Sequence, residues 1–151
     1  MNPFQSLQKR VKTLIKATEN PAKLADVILS DMETELADLQ VDQMLAGKGT
    51  QGTLKRRRAN YYPYTDGYAE YKRSLGLPVQ VVNTELTGDF HDGVFARSSV
   101  GFVEFNSTDY KANGLAEAYP GLFGLSGQYL QEAQEDAQLR LVEYLHGLVG
   151  G

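Results

Sequence analysis

A chain of 151 residues, 42% hydrophobic and 23% charged, has the size and composition of one globular domain, which excludes a wholly disordered protein. Because it contains no cysteine, disulfides, thiolate metal sites and a cysteine nucleophile are excluded as well. Residues 1–75 carry 12 basic and 9 acidic side chains whereas residues 76–151 carry 3 and 10, a polarity that fits head-to-tail packing of identical subunits and equally an unevenly charged, solvated surface.

The first 46 residues predict a helical region. Apolar residues three or four apart from Phe4 to Ala17 share one face of a short amphipathic helix. Asn20 and Pro21 then supply a capping side chain and a proline at the first helical position, so one long helix is predicted over residues 21–46. Its acidic face is interpreted as solvated.

Residues 47–60 are rich in glycine and predict a flexible basic loop. They do not form a phosphate-binding loop, because Lys48 comes too early after the first glycine. Four adjacent cations lie here close to three tyrosines: Lys55, Arg56, Arg57, Arg58, Tyr61, Tyr62 and Tyr64. Positive charge beside stacking surfaces is typical of sequence-independent nucleic-acid contact, while an exposed loop, or one paired with acids of a neighbouring subunit, remains an alternative.

Residues 61–106 predict a short helix followed by a small antiparallel sheet. The helix runs from Thr65 to Ser74, with Thr65 or Asp66 as its cap. Strands are predicted at Val79–Leu86, at about Phe90–Arg97 and at Val100–Asn106. The dipeptide Ser98-Ser99 is predicted to form the hairpin turn between the last two.

Residues 107–151 predict a connecting segment and a packing helix. A short helix or structured loop is expected between Asn106 and Tyr119, and Ser126 is placed to cap a final helix from Gly127 to about Leu148. The last three residues are expected to fray. The predicted fold is α+β, a single domain over residues 1–151 in which a long N-terminal helix and a C-terminal helix pack on a small antiparallel sheet, with the Gly-rich loop between.

The sequence offers no arrangement suited to catalysis. Asp89, His91 and Asp92 come nearest to a metal site, but on a strand only Asp89 and His91 would share a face, so a surface turn is favoured. His146 has no evident partner for acid-base chemistry. No catalytic residue, metal or cofactor is therefore predicted.

The sequence has no apolar run long enough to span a bilayer and no apolar core of a signal peptide. The protein is therefore expected to be soluble and unsecreted.

A succession of weak motifs nevertheless resembles a known family. Lys72 is followed by the strand-like segment that enters Leu86-Thr87-Gly88-Asp89-Phe90, and later by Phe123-Gly124-Leu125-Ser126 before the last helix. In this order, over about residues 35–148, the chain resembles the virion morphogenesis proteins of tailed bacteriophages, the small neck and tail-completion proteins of the Mu-like and related families.

This resemblance implies a non-enzymatic structural protein of the virion. Such proteins form homo-oligomeric rings, of six or twelve copies here, at the head-tail junction, beside head-closure or connector proteins and tail-tube proteins, after assembly in the bacterial cytoplasm. The choice between neck ring and tail terminator stays open. So does the role of residues 55–64, at a ring interface or facing DNA in the lumen. The alternative is a nucleic-acid-binding or regulatory module that uses residues 55–64 as its site.

Overall fold

The computed structural model describes residues 2–150 and has an α+β architecture. In chain order its helices are α1 (Pro3–Thr18), α2 (Pro21–Asp31), α3 (Glu33–Leu45), α4 (Asp66–Ser74), α5 (Asp89–Asp92), α6 (Ala112–Ala118) and α7 (Gly127–Gly150). The strands are β1 (Lys48–Gly49), β2 (Gly52–Thr53), β3 (Val94–Ser99) and β4 (Phe102–Ser107). None of the helices within residues 2–150 combines the length and apolar character needed to cross a membrane.

The predicted long helix over residues 21–46 is in fact two helices, α2 and α3, separated at Met32. Asn20 caps α2 as expected, its side chain accepting from the Lys23 backbone N–H. At Met32 the backbone leaves helical geometry (φ −98°, ψ 1°), and its N–H donates to the Leu29 carbonyl, three residues back. The Met32 side chain is completely buried, so the residue at this bend packs in the hydrophobic core.

The segment predicted as a flexible loop begins with a small hairpin. Strands β1 and β2 pair antiparallel, and Leu54, directly after them, is only 1% exposed. Gly49 approaches the chain near Gly121 so closely that a Cβ there would lie 2.5 Å from the Gly121 carbonyl oxygen. This contact requires glycine and fixes the hairpin against the segment that precedes α7.

A second hairpin, β3–β4, is longer and separate from the first. It pairs from Val94 with Ser107 to Ser99 with Phe102. The predicted turn at Ser98-Ser99 is therefore wrong: the turn is Val100-Gly101, and Gly101 has the positive φ (85°) that such a tight connection favours.

The predicted strand Val79–Leu86 is also wrong, since this segment is irregular. Asn83 uses its side-chain oxygen to accept from the Glu85 N–H, and Thr84 adopts a positive φ of 57°, so local bonds replace strand pairing. The strand predicted at Phe90 begins later, because Gly88 (φ 87°) leads into the single turn α5. The alternating-face argument for Asp89 and His91 therefore does not apply.

Helix α7 is longer than predicted. Residues 149 and 150, expected to fray, are helical, and Gly151 lies outside the described residues. The Ser126 hydroxyl does not cap the helix as predicted; it donates to the Gly49 carbonyl at 2.7 Å, while the Ser126 carbonyl accepts from the first turn. Ser126 thus joins α7 to the first hairpin.

The buried side chains form two clusters. The first core lies between the small hairpin, α5 and α6, and contains Met44, Leu54, Val82, Phe90, Ala112, Tyr119 and Leu122. The second core lies between α2, α3, the β3–β4 hairpin and α7, and contains Ile28, Met32, Leu36, Ala96 and Ala133. Helix α3 contributes to both, and hence connects the two ends of the domain.

Candidate functional site

A cleft of about 560 Å³ opens beside the first core. Four tyrosines from three parts of the chain line it, and we call it the tyrosine cleft: Tyr61 and Tyr64 from the loop, Tyr68 from α4 and Tyr119 after α6. Leu86 and Leu115 add apolar surface, and the charged lining residues are Arg56, Lys72, Lys111 and Glu85. The lining is therefore aromatic, with three cations and one carboxylate.

Lys72 is the most unusual of these residues, because it is only 1% exposed. It lies on the inner face of α4, where its Nζ donates to the Tyr64 hydroxyl and to the Asn83 Oδ1, both at 3.0 Å. The Nζ also lies 4.5 Å from the centroid of the Tyr64 ring, a cation–π distance. Within residues 2–150 it forms no salt bridge. Burial lowers the pKa of Lys72, and the charge of Glu85 opposes that shift.

Burial favours the neutral phenol at three of the four cleft tyrosines. The Tyr64 hydroxyl accepts from Lys72 and also from the Asn83 backbone N–H at 3.2 Å. Burial raises the pKa of Tyr64, and likewise the pKa values of Tyr68 and Tyr119. The rings of Tyr64 and Tyr68 lie 5.3 Å apart in a tilted arrangement. Such surfaces offer apolar contact area with polar edges, as protein interfaces do.

The seven residues predicted as one basic-aromatic surface are distributed over three locations. Arg56, Tyr61 and Tyr64 belong to the tyrosine cleft. Lys55 and Tyr62 lie outside it, with the Lys55 Nζ 5.8 Å from the Tyr62 ring centroid. Arg57 and Arg58 are exposed, and they line a shallow depression with Glu117. The Arg57 backbone N–H donates to the Ala118 carbonyl at 2.7 Å, which fastens this part of the loop to α6.

The Leu-Thr-Gly-Asp-Phe motif forms the turn into α5. Leu86 faces the cleft, the Thr87 hydroxyl donates to the Asp89 carboxylate at 3.0 Å, and Gly88 supplies the left-handed conformation. Phe90 is buried in the first core and contacts Phe123 of the second motif, with ring centroids 6.0 Å apart. The motif thus has a structural role that links the cleft to the core.

The second motif, around Phe123 to Ser126, is held by two buried glutamines that the sequence did not reveal. Gln40 accepts from the Gly124 N–H at 2.7 Å and donates to the Leu122 carbonyl at 3.2 Å. Gln43 accepts from the Ser126 N–H at 2.8 Å and donates to the Gly124 carbonyl at 2.7 Å. Both side chains are 0% exposed. Two amide side chains on one face of α3 therefore satisfy backbone groups of alternate residues, 122, 124 and 126, in the irregular segment before α7.

His91, considered above as a metal ligand, is a buried core residue. Its Nε2 lies 3.0 Å from the Thr84 Oγ1. The Thr84 Oγ1 also lies 2.6 Å from the Asn83 carbonyl oxygen. Burial lowers the pKa of His91, against the charges of Glu85 and Asp92 that raise it. Among residues 2–150 no three His, Asp or Glu side chains are close enough to hold a metal ion.

Acidification is expected to destabilise the protein through His91. The folded-state pKa of His91 lies below its ordinary value, so the unfolded chain binds the proton more tightly. This contribution to stability is complete above about pH 6.5 and is lost as the pH falls from there through the folded-state pKa. We expect the melting temperature to fall as the pH is lowered from about 7.5 to about 5.5, and to fall by a smaller amount in the His91→Gln variant.

The exposed His146 on α7 gives the matched control. His146→Gln should retain the pH dependence of the original chain, measured by differential scanning fluorimetry. A His91→Gln variant whose melting temperature follows pH as steeply as the original chain would assign the dependence to other groups.

Fold and site together define a small α+β domain with an aromatic, cation-bearing cleft. In comparisons with models of protein families, with curated proteins and with solved structures, the chain gave no significant match.

Proposed function

We propose that this protein is a structural virion protein that forms an oligomeric ring at the head-tail junction of a tailed bacteriophage. As either a neck protein or a tail-completion protein (tail terminator), it joins the tail to the head and carries out no catalysis. Its neighbours are the head-closure or connector proteins on one side and the tail-tube proteins on the other, and it joins the virion after synthesis in the host cytoplasm. The order of the two sequence motifs supports this proposal.

The observation that carries the proposal is an apolar stripe on α1 that the rest of the chain leaves exposed. Phe4, Leu7, Val11 and Ile15 follow one face of the helix and are 66%, 57%, 45% and 55% exposed. No residue of α1 is buried. The stripe extends about 16 Å along the helix. Contiguous apolar surface of this kind is unusual on a monomer and marks a protein interface.

The mass of the purified protein in solution tests ring formation. Light scattering over a wide range of concentration and salt, with negative-stain imaging of the large species, should show a ring of about six or twelve copies. Val11→Glu places a charge on the stripe and should reduce the ring to smaller species. Gln138→Glu is the matched control, because it adds the same charge at an exposed residue of a different helix, α7.

The position in the virion needs a second measurement. A phage whose copy of this gene carries an early stop codon should release filled heads and separate tails, visible by electron microscopy of the lysate. Intact virions in that lysate would contradict a joining role. A protein that stays monomeric at every concentration and salt would contradict ring formation in solution.

A nucleic-acid-binding or regulatory module is the second candidate, favoured by the exposure of all four cations from Lys55 to Arg58. Within residues 2–150 none of them forms a salt bridge. Alanine at all four positions should then weaken DNA retention and flatten its salt dependence, measured by filter binding. Unchanged DNA retention with loss of docking onto an adjacent ring would instead assign these residues to a protein interface.

A further inference from the structure

The tip of the β3–β4 hairpin exposes two large apolar side chains. Val100 and Phe102, on either side of the turn glycine, are 81% and 58% exposed. Glu104, two residues after Phe102, lies on the same face of β4 and is also exposed. The hairpin therefore presents an aromatic ring beside a carboxylate, and within residues 2–150 this carboxylate forms no salt bridge with its cross-strand neighbour Arg97.

The tyrosine cleft has the complementary chemistry. Its aromatic walls offer an apolar surface for a phenyl ring, and its three cations outnumber the single carboxylate Glu85. Arg56 is exposed at the cleft and forms no salt bridge within residues 2–150. Lys111 has only a long contact, 3.9 Å, from its Nζ to Asp109. A carboxylate entering beside an aromatic side chain would thus meet both an aromatic surface and a cation.

The cleft and the hairpin tip lie at different ends of one subunit. At the base of the hairpin, Val94 packs on the first core, which includes the cleft residue Tyr119. Towards the tip, the Ser98 N–H and hydroxyl both donate to the Glu33 carboxylate at the start of α3, beside the second core. Six residues of strand separate the two ends by about 20 Å. The tip consequently points away from the cleft of its own chain.

We infer that the hairpin tip of one copy docks in the tyrosine cleft of the next copy, with Phe102 among the tyrosines and Glu104 near Arg56. This inference rests on the proposed ring function and adds a second subunit contact to the one that the α1 stripe would make. A patch that binds a different patch on an identical neighbour makes a heterologous contact, which closes into a ring when the rotation between copies allows it. The basic first half and acidic second half of the chain agree with this pairing.

Cysteine pairing tests the contact directly, because the chain has no cysteine of its own. A double variant, Tyr68→Cys with Phe102→Cys, should give a ladder of covalent multimers on a non-reducing gel after mild oxidation. Each single variant should give no ladder. The matched control is Tyr68→Cys with Leu139→Cys, since Leu139 on α7 is as exposed as Phe102 and lies outside the proposed contact.

Charge reversal gives an independent test. Glu104→Lys and Arg56→Glu should each cause loss of the ring species in light scattering, and the two changes combined should restore it. If rings persist in both charge-reversal variants and the double cysteine variant gives no ladder, the inference is overturned and the ring function stays in place. Crosslinks from the cleft to a head or tail protein instead would likewise overturn it. Absence of any ring in the unmodified protein would overturn both.

Discussion

Replacing Gln40 with alanine is expected to lower the free energy of unfolding by about 3–5 kcal/mol. The change leaves the Gly124 N–H and the Leu122 carbonyl without the partners they now have, and it opens a cavity at a side chain that is 0% exposed. An unpaired buried backbone group costs about 1–3 kcal/mol, and the cavity adds to that cost. Urea unfolding followed by circular dichroism measures the loss.

Two further variants separate hydrogen bonding from packing. Gln40→Leu fills most of the volume but supplies no donor or acceptor, so it should still cost about 2–4 kcal/mol. Gln138→Ala, at an exposed position of α7, should change the free energy of unfolding by less than about 0.5 kcal/mol. A Gln40→Leu protein as stable as the original would show that volume, and not the pairing of the Phe123–Ser126 segment, accounts for the effect.

Replacing Lys72 has the second largest expected effect. Lys72→Ala should cost about 2–4 kcal/mol, because it removes a buried aliphatic chain and opens a cavity, whereas the Tyr64 hydroxyl and the Asn83 Oδ1 keep their bonds from the Asn83 and Glu85 backbone N–H groups. Lys72→Met should cost less than about 1 kcal/mol, because it keeps the aliphatic length and removes the penalty of burying a charge without a carboxylate partner. Thermal and urea unfolding of the two variants give the comparison.

The exposed Lys55 serves as the control for Lys72. Lys55→Ala should leave the stability within about 0.5 kcal/mol of the original. Equal losses for Lys72→Met and Lys72→Ala would contradict the argument, because they would mean that the ammonium group, and not its aliphatic chain, stabilises the fold.

The parts of the fold that local chemistry decides were predictable from sequence. Asn20 and Thr65 cap α2 and α4 as expected, because a cap depends on bonds to residues two or three positions away. The break at Met32 has no glycine or proline to signal it. At this break α2 and α3 pack on the β3–β4 hairpin and on α7. These contacts come from distant parts of the chain, so the residues near Met32 do not predict them.

The cleft was only partly predictable, for a related reason. The tyrosines at positions 61, 62 and 64 stand together in the sequence, yet Tyr62 lies outside the cleft and the distant Tyr119 lies within it. The sequence near Lys72 does not indicate that it is buried, because one of its two partners, Asn83, lies on an irregular segment whose path the sequence did not predict. Gln40 and Gln43 appear polar and exposed until their partners, more than eighty positions away, are known.

The long sequence separation between the two glutamines and their partners affects how the protein folds during synthesis. The bonds of the two glutamines span 81 to 84 positions, so α3 leaves the ribosome long before the residues that pair with it. Until residue 126 has emerged, both amides must remain hydrated, and the hydrophobic side chains beside them lack their final cover. The nascent chain therefore completes this part of its interior only after residue 126 has been synthesised, and any assembly between copies that depends on it has to wait until then.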